Sequence, residues 1–119
     1  MMTNSIRIYH NPRCSKSRQT LALIEDAGIT PDIVLYLETP PSVAEIKNIL
    51  NKLNISARDL LRKGEASFKE NQLSNTSLSD EQIIEFMVQY PKLIERPIVV
   101  KGDRAVLGRP PENVNALLG

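Results

Sequence analysis

The segment His10-Asn11-Pro12-Arg13-Cys14-Ser15-Lys16-Ser17-Arg18 holds the only cysteine and the only histidine of the chain, set among three cations. A thiol in such company is a candidate nucleophile, because the thiolate is the reactive form and nearby positive charge favours it. A free cysteine often does no more than fill space in a core. Here Arg13, Ser15 and Lys16 flank it and offer no apolar partner. We therefore expect Cys14 to titrate below the ordinary thiol value of about 8.5. His10 could pack against the thiol or donate to it, or serve only as a structural hydrogen-bonding residue. Ser15 and Ser17 could line an anion site with free backbone N–H groups, or simply cap a helix. One Cys and one His are too few soft ligands for a structural zinc, so no metal is expected.

An oxyanion substrate would need fixed cations, and Arg suits one because its planar fork donates two parallel hydrogen bonds. Two arginines stand out by context. Arg96 directly precedes Pro97 at the entrance to a strand, and Arg109 lies between Gly108 and Pro110-Pro111. Both sit at element ends, where a rigid backbone can aim a side chain. Sequence alone does not bring either to Cys14. X-Pro bonds are cis in about 5–6% of cases, so composition gives no ground to expect one at Arg96-Pro97.

The elements that must position these groups are readable from period and punctuation. Ile6 to Tyr9 reads as a short strand broken by Asn11-Pro12. A helix follows from about Ser15 to Ala27, with Leu21, Ile24 and Ala27 near the helical period and Gly28 as its C-cap. Cys14 thus falls where a strand ends and a helix begins, at the positive end of the macrodipole. Ile33 to Leu37 is a continuous apolar run, the mark of a buried strand. Ser42-Val43-Ala44-Glu45 makes a capping box ahead of Ile46, Ile49, Leu50 and Leu53, a clear amphipathic helix. Ser56 to Asp59 looks like another helix start, and Gly64 to Asn75 is polar and unassigned. Ser79 to Gln82 caps a further helix that Pro91 ends. Ile98 to Lys101, Gly102-Asp103 and Arg104 to Leu107 read as a hairpin. Pro110-Pro111-Glu112 opens a last short helix with Val114, Leu117 and Leu118 on its buried side. The order β-α-β, several helices, then β-β-α predicts an α/β fold: a central mixed sheet flanked by helices, with a helical insertion.

Composition bounds the rest. A chain of 119 residues is one domain's length, and 41% hydrophobic residues with 24% charged is the globular norm. Net charge is +1 without basic blocks, which argues against nucleic-acid binding. No apolar stretch approaches membrane-spanning length, and residues 1–7 carry no secretory apolar core. A lone cysteine fits a reducing cytoplasm.

Four motifs in order, His10 to Arg18, Tyr36-Leu37-Glu38-Thr39-Pro40-Pro41, Leu60-Leu61-Arg62-Lys63 and Glu95-Arg96-Pro97-Ile98-Val99-Val100, resemble those of the glutaredoxin-dependent arsenate reductases, the ArsC family. The likeness runs from about Ile6 to Leu118. It is strongest to the short branch, which ends soon after Gly108-Arg109-Pro110-Pro111-Glu112. Around Cys14 the small residues usual in that family are replaced by Arg13, Ser15 and Lys16. The resemblance implies a single thioredoxin-like domain over residues 1–119, with Cys14 as nucleophile and His10 tuning it. It assigns Arg62, Arg96 and Arg109 to the arsenate oxyanion, and makes Pro97 the cis proline beside the active Cys. It further implies a covalent thiol-arsenate adduct, glutathione as co-substrate, glutaredoxin as partner and no bound cofactor. Two other functions fit the same residues. One is a thiol oxidoreductase acting on another oxyanion or on glutathione mixed disulfides. The other is a binding regulator like the Spx-type proteins, which bind RNA polymerase and commonly carry a Cys-x-x-Cys switch. Here the position three after Cys14 is Ser17, so that switch cannot form.

Overall fold

The computed structural model describes residues 5–118. In chain order it contains β1 (Ile6–Tyr9), α1 (Ser15–Asp26), β2 (Asp32–Val34), α2 (Val43–Leu53), α3 (Ala66–Glu70), α4 (Asp80–Gln89), β3 (Ile98–Lys101), β4 (Arg104–Leu107) and α5 (Asn115–Leu118). Short 3₁₀ turns lie at Arg58–Leu60, Pro91–Leu93 and Pro111–Val114. The residues gather into two compact units. One takes the described chain up to Thr39 and from Arg96 onward, and the other is Pro40–Glu95.

The first unit carries a four-stranded mixed sheet in the order β2-β1-β3-β4. β1 runs parallel to β2, with Ile8 opposite Ile33, and antiparallel to β3, with Ile8 opposite Val99. β3 and β4 form the hairpin, Val99 facing Val106, and Gly102 at its turn has φ +63. A side chain there would meet the steric penalty that glycine escapes. Ile6, Ile8, Ile24, Val99, Val114 and Leu117 close into one apolar cluster, which fastens α1 and the C-terminal turn to the sheet. Lys101 Nζ donates to Leu117 O at 3.0 Å and Arg104 Nη2 to Ala116 O at 2.9 Å, cations at the negative end of α5. This is the α/β, thioredoxin-like arrangement that the element order predicts, with the helical unit inserted between β2 and β3.

The run from Ile33 to Leu37 corrects the sequence reading. Only Asp32–Val34 pairs as strand, and it lies at the sheet edge, where Ile33 is 47% and Leu37 37% exposed. The chain then turns, with Glu38 N–H and Thr39 N–H both donating to Leu35 O at 2.9 Å.

In the unit Pro40–Glu95, α2 packs against α4, and Ile46, Ile49, Ile83 and Met87 of these helices are buried. Ser42 Oγ accepts from Glu45 N–H, and Ser79 with Gln82 closes a full capping box on α4. The unassigned polar stretch contains α3, which buries none of its residues. An isolated antiparallel bridge joins Leu61 to Ile94, flanked by Arg62 N–H to Leu93 O at 2.7 Å and Glu95 N–H to Leu60 O at 2.9 Å. No helix among the described residues is long and apolar enough to cross a membrane.

Candidate active site

Asn11 shapes the loop that delivers the thiol. Its Oδ1 accepts from Arg13 N–H and its carbonyl from Cys14 N–H, both at 3.0 Å, so the chain turns tightly around Pro12. Ser17, one turn into α1, stitches that loop down. Its buried Oγ accepts from Asn11 N–H at 3.0 Å and lies 2.7 Å from His10 Nδ1. Arg18 adds a bond from Nη1 to Pro12 O at 2.9 Å. Asn11 is thus more than the strand breaker its place before Pro12 suggests; Asn before Pro is itself a turn signal.

Cys14 is the N-cap of α1, with extended backbone (φ −96, ψ 123), and is half-buried. Partial burial pushes its thiol up. Against that act the Ser17 N–H, the Arg96 side chain through both hydrogen bonding and charge, and the Lys16 N–H, and the balance lies below the ordinary value. Cys14 makes no formal capping hydrogen bond, so the two N–H groups act as oriented dipoles at the helix start.

Arg96 stands at the mouth of β3, before a cis Arg96–Pro97 bond, as the resemblance implies. Its Nε is buried and has no hydrogen-bond partner among the described residues. Arg109 is linked to it: Nη1 donates to Arg96 O at 3.1 Å. Arg109–Pro110 is a second cis bond, which nothing in the sequence signals. Cys14, Arg96 and Arg109 thus gather in one unit. Arg62 belongs to the other, where Nε pairs with Glu65 at 3.3 Å and Nη1 with Glu95 at 3.0 Å.

His10 is turned to Ser17. Burial and the Arg18 charge lower its pKa, with Glu25 opposing weakly, so it is neutral at pH 7. Ser17 Oγ accepts from Asn11 N–H, and its bond to His10 Nδ1 takes its direction from the imidazole tautomer. Because the Ser17 hydroxyl is spent inside the fold, only its backbone N–H faces the sulfur. Ser15 is exposed in the first turn of α1. Among the described residues no cluster of three or more His, Cys, Asp or Glu could hold a metal ion.

A strand, a tight loop and a helix that starts on an activated thiol, all on a thioredoxin-like sheet, define a thiol-chemistry protein. The model of the ArsC family matches residues 9–117, and the chain belongs to that family. It is 51% identical over 119 residues to the uncharacterized protein YfgD of Escherichia coli K12, spanning 99% of this chain and 100% of that one. It is 46% identical over 114 residues to an arsenate reductase of Neisseria meningitidis, with 95% and 97% covered. The solved arsenate reductase of Vibrio cholerae superposes with a TM-score of 0.94 at 48% identity, covering 98% of this chain and 99% of that structure. An oxidoreductase function goes with this membership.

Proposed function

We propose that the protein is an arsenate reductase that works through a covalent Cys14 thiol-arsenate, with glutathione and glutaredoxin as the source of electrons. The observation that supports this best is the activated Cys14 sulfur beside Arg96, whose buried Nε is a donor in want of an acceptor. A bound oxyanion would supply that acceptor. Family membership and the arsenate reductases among its relatives favour arsenate as the anion.

In this reading the Cys14 thiolate attacks arsenic(V), a sulfur–arsenic bond forms, an arsenic–oxygen bond breaks, and the hydroxide leaves as water with a proton taken from solvent. Arg96 and Arg109 hold the oxyanion and stabilise its rearranging charge. Pro97 and Gly108 keep these two arginines in place. Ser15 and the first N–H groups of α1 complete the anion's surroundings. His10 acts on Cys14 through Ser17, as a positioning residue. The resemblance alone assigns Arg62 to the oxyanion; within its own unit the guanidinium is paired with Glu65 and Glu95. Arsenic(V) takes up two electrons on becoming arsenite. A chain with one cysteine must draw them from outside thiols, which leave as a mixed disulfide of glutathione and glutaredoxin. The reducing cytoplasm is the compartment such chemistry requires.

The test is arsenite formation from arsenate with glutathione and glutaredoxin present, together with intact mass spectrometry for the Cys14 adduct. Turnover lost in Cys14→Ser supports the reading. A protein that neither turns over arsenate nor carries the adduct overturns it.

A further inference from the structure

Beside the loop that ends in Cys14 lies a cleft of about 370 Å³, between residues His10 to Arg13 on one side and Leu35, Leu37 and Glu38 on the other. That volume sits at the small end of ligand sites, suited to a few residues of peptide. Its apolar lining comes from Pro12, Leu35 and Leu37. It also carries one cation, Arg13, and one anion, Glu38, both exposed. Of the neighbouring cations, Arg18 donates to Pro12 O and Arg7 lies 4.0 Å from Asp32. Arg13 is engaged through its backbone N–H to Asn11, and the ion pairs among the described residues involve neither Arg13 nor Glu38. A ligand with a carboxylate at one end and an ammonium at the other would complement the pair.

The chemistry calls for such a ligand next to Cys14, because a single protein thiol cannot supply two electrons. We propose that this cleft binds a small zwitterionic thiol peptide of the glutathione class, with a carboxylate on Arg13 and its ammonium on Glu38. Arg13 of the lining directly precedes Cys14 in the chain, and the proposed binding mode brings the ligand's sulfur to the adduct there. The choice of a thiol peptide and the chemical step rest on the arsenate-reductase reading; the charge complementarity of the cleft does not. In that step a sulfur–arsenic bond forms on arsenic(V). An arsenic–oxygen bond breaks, and the hydroxide departs as water with the thiol's proton. Electrons move only when a further thiol attacks the peptide's sulfur: a disulfide forms, and the arsenic–sulfur bonding pair stays on arsenic, which becomes arsenic(III).

The probe is S-methylglutathione, which keeps both charged ends and has no thiol to react. Titrated into the ¹⁵N-labelled full chain, it should give saturable shifts at the amides of Asn11, Arg13, Leu35, Leu37 and Glu38. Glu38→Lys and Arg13→Glu should each weaken binding about fivefold, the worth of one exposed charge pair. In turnover, Glu38→Lys should raise the KM for glutathione by a similar factor and leave the KM for arsenate unchanged. The absence of saturable shifts, or affinity indifferent to both variants, overturns the proposal. So does turnover with an unchanged glutathione KM in Glu38→Lys. If the unaltered protein reduces no arsenate, the functional reading fails and the titration alone decides the cleft.

Discussion

Replacing Gly108 by Ala should destabilise the protein by about 2–3 kcal/mol, through overpacking at the junction that sets the two arginines. A Cβ at Gly108 would lie 2.5 Å from Thr20 Oγ1, 2.7 Å from Pro97 Cγ and 3.0 Å from Thr20 Cγ2. Comfortable separations are about 3.5–4.0 Å, so the new methyl overlaps on two sides at once. Neither neighbour yields easily. Thr20 is fully buried and its hydroxyl donates to Lys16 O at 2.8 Å, while Pro97 is a buried ring. Gly108 itself is held by its N–H to Pro97 O at 2.9 Å. Overpacking in cores costs about 1–3 kcal/mol, and two stiff walls place this site in the upper half. For a chain of this size that lowers the melting temperature by roughly 6–15 °C. Urea unfolding should show a lower midpoint at unchanged slope. Thr20→Ala removes two of the three close atoms, so the double variant should recover more than about 1 kcal/mol relative to additivity. A single variant within about 0.5 kcal/mol of the parent, or strict additivity, would refute the packing argument.

Three further outcomes follow from the Cys14 loop. The rate of iodoacetamide alkylation against pH should show Cys14 titrating below an ordinary thiol, and Arg96→Ala should move that midpoint up; a midpoint that stays or falls contradicts the role given to Arg96. Ser17→Ala strips the acceptor from Asn11 N–H and the partner from His10 Nδ1, and should cost about 1–3 kcal/mol in urea unfolding, whereas a change within error would show that the loop closes without it. His10 has a lowered pKa in the folded state, so below about 6.5 the unfolded chain binds the proton first. Stability should therefore be full above that pH and fall as pH drops toward the folded value, a slope that His10→Gln should flatten; identical slopes in the two proteins would count against burial of a neutral imidazole.

Much of the frame is legible because its signals are local. The hairpin follows from two β-rich runs around Gly102-Asp103, and α1 from the change of period after Pro12 together with Gly28, whose φ of +82 ends it. The edge strand is not legible, because an apolar run has the same appearance whether both its faces are covered or one is open. Ile33 and Leu37 remain exposed even though the run looks buried. α3 escapes because a five-residue helix with no fully buried side chain carries no hydrophobic period. Of the candidate site, the thiol and its cationic loop are visible from composition alone. The alliance of His10 with Ser17, seven positions apart across a tight turn, is not, nor is the commitment of Arg62 to Glu65 and Glu95. Pairings of that kind depend on how the backbone folds back on itself.

The position that Cys14 occupies has a consequence for its own replacement. An N-cap is where Ser, Thr, Asp and Asn are worth most to a helix, and cysteine closes no capping bond there. Under the proposed function the fold forgoes stability at that spot in exchange for reactivity, a common tension between durability and activity. Cys14→Ser and Cys14→Asp remove the proposed nucleophile while offering α1 a better lid. The inactive proteins should therefore outlast the active one on heating, and their silence could not be blamed on unfolding.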